Sequence, residues 1–330
     1  MNNADHNRYR MPPQTRNGDG KLRRVGFELE FSGIGLEQSI AAVETALGGK
    51  IGEQTAAETT IEVDGLGDFV VELDWDYLKR KAAEEDKTYN EDEWLEFMSQ
   101  AAELLVPIEV VCPPIPLDRL EVLDPMVDAL RQAGAVGTEE SLLAAYGVHI
   151  NTEIPALDCS TLHRYLRAYA LLQWWLVDAH EVDPTRRLSP YIDLYPEAYL
   201  QQLLAEEVTD MERLFELYLE HNATRNRALD LLPMLKEIDP QRIEREIDDP
   251  KVKARPAFHY RLPNCHIERD GWSLVASWNT WLVVERLAWR DDDVAHLARQ
   301  FADAQRPLLG VNRNDWVEYI SQWLIDQGLV

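Results

Sequence analysis

The seven residues Val25–Phe31, VGFELEF, constrain this chain more than any other stretch. Successive side chains on a strand point to opposite faces, so Glu28 and Glu30 share one face. Phe27, Leu29 and Phe31 take the other. A carboxylate on a core-quality strand is costly unless a cation or water meets it. The partner could be an arginine, a metal ion or the water of a solvated face.

The pattern returns along the chain. Glu62 and Asp64 alternate in TTIEVDG, and Glu72 and Asp74 in DFVVELDW. Glu109 lies mid-strand in VPIEVVC; His149, Asn151 and Glu153 alternate in YGVHINTEI, and His259 and Arg261 in FHYRLP. Charges on one solvated sheet face are routine, but such a face carries Lys and Thr as readily as Glu. These segments contain no lysine. Hard oxygen donors with an imidazole suit Mg²⁺ or Mn²⁺.

Helical spacing follows the first strand in GLEQSIAAVETALGG, with Gly48 as its stop, and returns in LDRLEVLDPMVDALRQAG. A charged stretch, LKRKAAEEDKTYNEDEW, leads into a helix expected to end near Leu105. The second half is mostly helical. Residues 160–180 carry an apolar stripe capped by Asp158 or Ser160, and helical pattern covers roughly 194–236, Trp272–Trp289 and the segment around Trp316 and Ile320. Strands followed by helices imply α+β with an antiparallel sheet. No Gly-rich strand-to-helix turn supports a doubly wound nucleotide fold. Residues 1–22 read as a polar, disordered tail and 23–330 as one domain with a helical C-terminal portion.

The charge balance, 59 acidic against 33 basic residues, excludes an extended nucleic-acid interface and an anionic membrane surface. Cys112, Cys159 and Cys265 fit neither a zinc motif nor a disulfide framework. The N-terminus has no apolar run, and the longest apolar stretch, YALLQWWLV, is too short to span a bilayer. The expectation is a soluble, cytoplasmic protein. Cys112, Cys265 and the tryptophans at 174, 175, 278, 281 and 323 read as core residues.

VGFELEF, IEVVCPPI, YGVHIN, RNRALDLLPML and FHYRLP, in that order, resemble the motifs of the amidoligases. That family belongs to the carboxylate–amine ligase superfamily of glutamine synthetase and glutamate–cysteine ligase. The resemblance runs from about Val25 to Trp289. It implies a glutamine-synthetase-like catalytic domain whose curved antiparallel sheet cups ATP and Mg²⁺ or Mn²⁺, with helices packed outside. The implied reaction joins a small-molecule or peptide carboxylate to an amine through an acyl phosphate. By position, Glu28, Glu30, Glu109, His149 and His259 would hold the metals, Glu30 also serving catalysis. Arg261 and one of Arg225 and Arg227 would neutralise phosphates or hold a substrate carboxylate, and Asn151 would contact the nucleotide. Asn151 replaces a common second histidine, Cys112 a serine, Asp230 an asparagine and His259 the usual glutamate. A metal-dependent phosphohydrolase and a non-enzymatic scaffold binding nucleotide or metal are the alternatives.

Overall fold

Along the first strand, β1 (Arg24–Phe31), Val25, Phe27, Leu29 and Phe31 are completely buried while Glu28 and Glu30 are half-buried. The computed structural model describes residues 8–74, 107–139, 146–187, 190–247 and 249–330. The charged stretch and the helix expected to end near Leu105 lie outside the described residues. The chain forms two compact units, one of Arg24–Ile150 with Pro263–Leu274 and one of Met1–Arg23, Asn151–Leu262 and Val275–Val330. We call them the sheet unit and the helical unit.

In the sheet unit, β1 leads into α1 (Leu36–Leu47), which ends at Gly48 in the left-handed conformation that glycine adopts without strain. Strands β2 (Lys50–Gln54), β3 (Glu58–Val63), β4 (Gly67–Leu73), β5 (Ile108–Val111) and β6 (Ile115–Pro116) follow. A 3₁₀ segment, Leu117–Leu123, then enters α2 (Asp124–Ala133), and β7 (Val148–Thr152) completes the set. The strand order is β2-β3-β4-β5-β1-β7, with β6 pairing β1. Ile61, Phe69, Val71, Ile108 and Val110 are buried on the β1 apolar face, which α1 covers over β3 and β4 while packing on α2. Strands β1, β3, β4 and β5 thus alternate between a core face and a wetter face.

The resemblance implied a curved sheet, but the structure shows an open, uncurled one. Register runs without interruption through β3, β4, β5 and β1, whereas β2 shifts against β3 between Ile51 and Gln54. Bulges are what bend a sheet, and the central strands carry none.

The sequence marks no boundary between units because the chain leaves the sheet unit within β7, after Ile150. Val148 N–H donates to the Pro263 carbonyl at 2.9 Å in the sheet unit, whereas Phe258 N–H donates to the Thr152 carbonyl at 2.9 Å in the helical unit.

The helical unit is built on α3 (Cys159–Ala179), capped by Asp158, which accepts from Thr161 N–H at 2.8 Å. The helical pattern over 194–236 resolves into α4 (Glu197–Ala205), α5 (Met211–Asn222), a two-residue β8 (Leu229–Asp230) and α6 (Leu232–Ile238). Strand β9 (His259–Tyr260) pairs β8, and α7 (Leu274–Leu287), α8 (Asp291–Asp303) and α9 (Arg313–Asp326) follow. Helices α4, α8 and α9 pack on α3, and Trp174, Trp278 and Trp281 are buried, as their spacing suggested.

Residues 8–22, expected to be part of a disordered tail, pack onto the helical unit. Arg10 N–H donates to Asn279 Oδ1 at 3.0 Å, and the Trp278 indole N–H donates to the Arg10 carbonyl at 2.8 Å. Its polar backbone groups thus find partners on α7, which a composition argument does not register. At the end of this segment Arg23 is fully buried and forms a two-pronged ion pair with Glu285, at 2.7 and 3.1 Å. The Tyr165 hydroxyl donates to the same carboxylate at 2.5 Å and the Trp281 indole at 3.2 Å.

Candidate active site

The sheet's register sets the wetter face. Glu30 stands opposite Glu109, Glu109 opposite Glu72, and Glu72 opposite Glu58, so four strands contribute to one row of glutamates. Like charges directly opposite each other repel. Burial, followed by the charges of Glu28, Glu30, Glu72 and Asp74, pushes the Glu109 carboxyl well above its ordinary range. Among the described residues neither Glu30 nor Glu109 forms an ion pair with lysine or arginine. Glu62 differs: it stands opposite Lys50, on a strand the sequence pattern does not announce.

His149 faces this row from β7. Its Nδ1 lies 2.7 Å from Glu28 Oε2 and its Nε2 3.6 Å from Glu30 Oε1. With Glu28 ionised, Nδ1 carries the proton and donates, which leaves the Nε2 lone pair turned toward Glu30. Gly147 N–H donates to the other Glu30 oxygen at 2.7 Å and fixes that carboxylate. Ligand atoms of Glu30, Glu109 and His149 all lie within 4.8 Å of one another, close enough to share one cation. Two hard carboxylates, one imidazole nitrogen and a second carboxylate orienting the imidazole form a donor set suited to Mg²⁺ or Mn²⁺.

The helical unit assembles a different group. Asp230 and His259 are opposite each other on β8 and β9, and Asp230 Oδ2 lies 3.9 Å from both His259 Nδ1 and Arg261 Nη2. Arg261 donates to His259 Nδ1 at 3.2 Å. Asp230 Oδ1 accepts from Leu232 N–H at 2.9 Å. Burial raises its carboxyl to about 6, against the opposing pull of Arg261, the Leu232 N–H, Arg255 and Arg225. Arg186 donates to the carbonyls of Arg261 at 2.6 Å and Leu262 at 2.7 Å, pinning the strand end.

A family model described as "Putative amidoligase enzyme" matches residues 21–283. The chain belongs to the amidoligase family. No curated protein and no solved structure matches it.

Of the residues expected to serve this amidoligase, Glu28, Glu30, Glu109 and His149 are brought together in the sheet unit. His259, expected to be a metal ligand, stands on β9 with its Nδ1 3.2 Å from Arg261 Nη2 and 3.9 Å from Asp230 Oδ2. Arg225 lies 4.0 Å from Asp249, and Asn151 Oδ1 accepts from Arg255 at 2.9 Å. Arg227 is turned away. Leu229 is opposite Tyr260 and Arg261 N–H bonds the Ala228 carbonyl, so alternation puts Arg227 with Tyr260, on the face opposite Asp230, His259 and Arg261. There it donates to the carbonyls of Leu194 at 3.2 Å and His221 at 2.8 Å.

Sequence reasoning missed Arg186 and Arg255, which lie in no motif, and the Gly147 N–H, which no side-chain pattern encodes. Cys112 is buried beside Glu28, which together hold its thiol far above the ordinary value, so it is a core residue and no nucleophile.

Proposed function

We propose that this protein is an ATP-dependent carboxylate–amine ligase. One observation carries the reading: Glu30, Glu109 and His149 converge where, among the described residues, no lysine or arginine pairs with the two carboxylates. Family membership supports it. When bound there, a divalent cation supplies neutralisation of phosphate charge. Glu30, Glu109 and His149 Nε2 would hold it, and Glu28 keeps His149 in the ligating tautomer.

An oxygen of the acid attacks the γ-phosphorus of ATP, the bond to the bridging oxygen breaks, and ADP leaves. The amine nitrogen then attacks the acyl carbon, the carbon–oxygen bond to phosphate breaks, and the nitrogen loses a proton. Such transfer depends mostly on positioning and charge neutralisation rather than covalent help from the protein. Arg261 offers the two-pronged guanidinium that fits phosphate or carboxylate oxygens. Asn151 and Arg225 are assigned to the nucleotide. Asp230 positions Arg261 electrostatically, and its uptake of a proton would release that guanidinium.

The test is ADP release and mass spectrometry with mixtures of acids and amines. ADP that appears only with both substrates, alongside a product condensed by loss of water, supports the ligase. ADP formed without an amine would make the protein a phosphohydrolase. Absence of any nucleotide or cation binding would leave a scaffold.

A further inference from the structure

The face of the β8–β9 ribbon that carries Arg227 borders a cleft of about 440 Å³ in the helical unit, lined among others by Trp174, Asp178, Asp193, Tyr195, Arg227 and Arg313. That volume falls within the roughly 300–1,000 Å³ of small-molecule sites. We propose that this cleft binds a free amino acid or short peptide through its terminal carboxylate. The proposal does not rest on the ligase reading.

Two arginines carry the argument. Arg313 opens α9 and holds its guanidinium 5.3 Å from the ring centre of Trp174. Arg227 is fixed by two backbone carbonyls. Among the described residues neither makes an ion pair with a carboxylate. In a chain with 59 acidic and 33 basic residues, two unneutralised guanidiniums on one cleft select for an anion. The N-terminus of α9 adds partial positive charge at the same place.

The rest of the lining narrows the anion's chemistry. Asp193 is exposed at the rim, and Asp178 engages Arg187 only at 3.9 Å, across exposed side chains. Both can face an ammonium group. Trp174, Tyr195, Leu262 and Val317 give an apolar wall for a side chain. Carboxylate, ammonium and an apolar substituent together describe an amino acid or peptide end, and a bare phosphate uses only the first of these features.

The experiment is calorimetric titration of the full chain, without nucleotide or metal, with leucine, phenylalanine and alanyl-phenylalanine. Leucinamide lacks the carboxylate, 4-methylpentanoate lacks the amine, and inorganic phosphate tests a plain oxyanion. We expect saturable binding of at least one amino acid or peptide, weakened about tenfold or more by loss of the carboxylate and by Arg313→Gln. Arg313→Gln should leave the melting temperature unchanged, since its side chain is exposed. Three results would overturn the proposal: no binding of any amino acid or peptide probe, equal binding by Arg313→Gln, or phosphate binding in their place.

Discussion

Glu285 in the helical unit is fully buried and Glu109 in the sheet unit half-buried, and the surroundings of the two carboxylates are opposites. Glu285 receives two hydrogen bonds from Arg23, one from Tyr165 and one from Trp281. Glu109 is flanked by Glu30 and Glu72 and pushed toward its neutral form. The first charge is answered by the chain itself, and its role ends with holding α3, α7 and the N-terminal segment together. The second is answered by nothing of the chain's own among the described residues, which makes it a site for something else. The useful signal for function is therefore the unanswered carboxylate, not burial alone.

The contrast breaks first at Glu285. Glu285→Gln leaves Arg23 charged and buried, so unfolding in urea should become easier by about 3–5 kcal/mol. Replacing both partners, Arg23→Met with Glu285→Leu, should recover most of that loss. A single variant within about 1 kcal/mol of wild type would show that the pair is not the anchor described here.

Next come the metal donors. Glu30→Gln and His149→Gln should each weaken Mg²⁺ or Mn²⁺ binding about 10–100-fold by calorimetry. Metal-free Glu30→Gln should be as stable as wild type or more so, because one repelling charge has gone. Unchanged metal binding in either variant would take that residue out of the site.

A smaller effect is expected of Arg261→Lys: turnover down by about tenfold to a hundredfold, with thermal stability retained, because lysine keeps the charge and loses the fork. Turnover equal to wild type would reduce Arg261 to an internal partner of His259.

The smallest effect concerns a histidine outside both carboxylate sites. Burial, helped by Arg167, lowers His163 to about 4. Its folded form resists protonation, so its contribution is fully present above the ordinary histidine value of about 6.5 and is lost as pH falls from there toward 4. His163→Leu should flatten that part of the stability profile, read from urea midpoints across the range. An unchanged profile would mean that other groups dominate the acid limb.

The strand faces were legible because period-two alternation is local: VGFELEF and IEVV announced both the core residues and the carboxylates. Helix ends were equally local, as Asp158 and Gly48 show. What the sequence hid depends on pairing. The row from Glu30 to Glu58 needs the register of four strands, and the separation of Arg227 from Arg261 needs the parity of β8 against β9. The tautomer of His149 depends on which neighbour reaches Nδ1, here the Glu28 carboxylate of β1. Strand β2 was missed because all five of its residues are exposed, which leaves no apolar alternation to read.

That exposed strand has a consequence for how copies of this protein meet. An open sheet ends in backbone donors and acceptors that could recruit another chain, and β2 ends the strand order here among the described residues. Its register slips between Ile51 and Gln54, Gly52 weakens its extended form, and Lys50 and Glu53 place charge along it. An incoming strand would find no continuous ladder to extend. The edge is thereby protected against aggregation by its own irregularity, leaving β3 and the strands behind it free to stay regular.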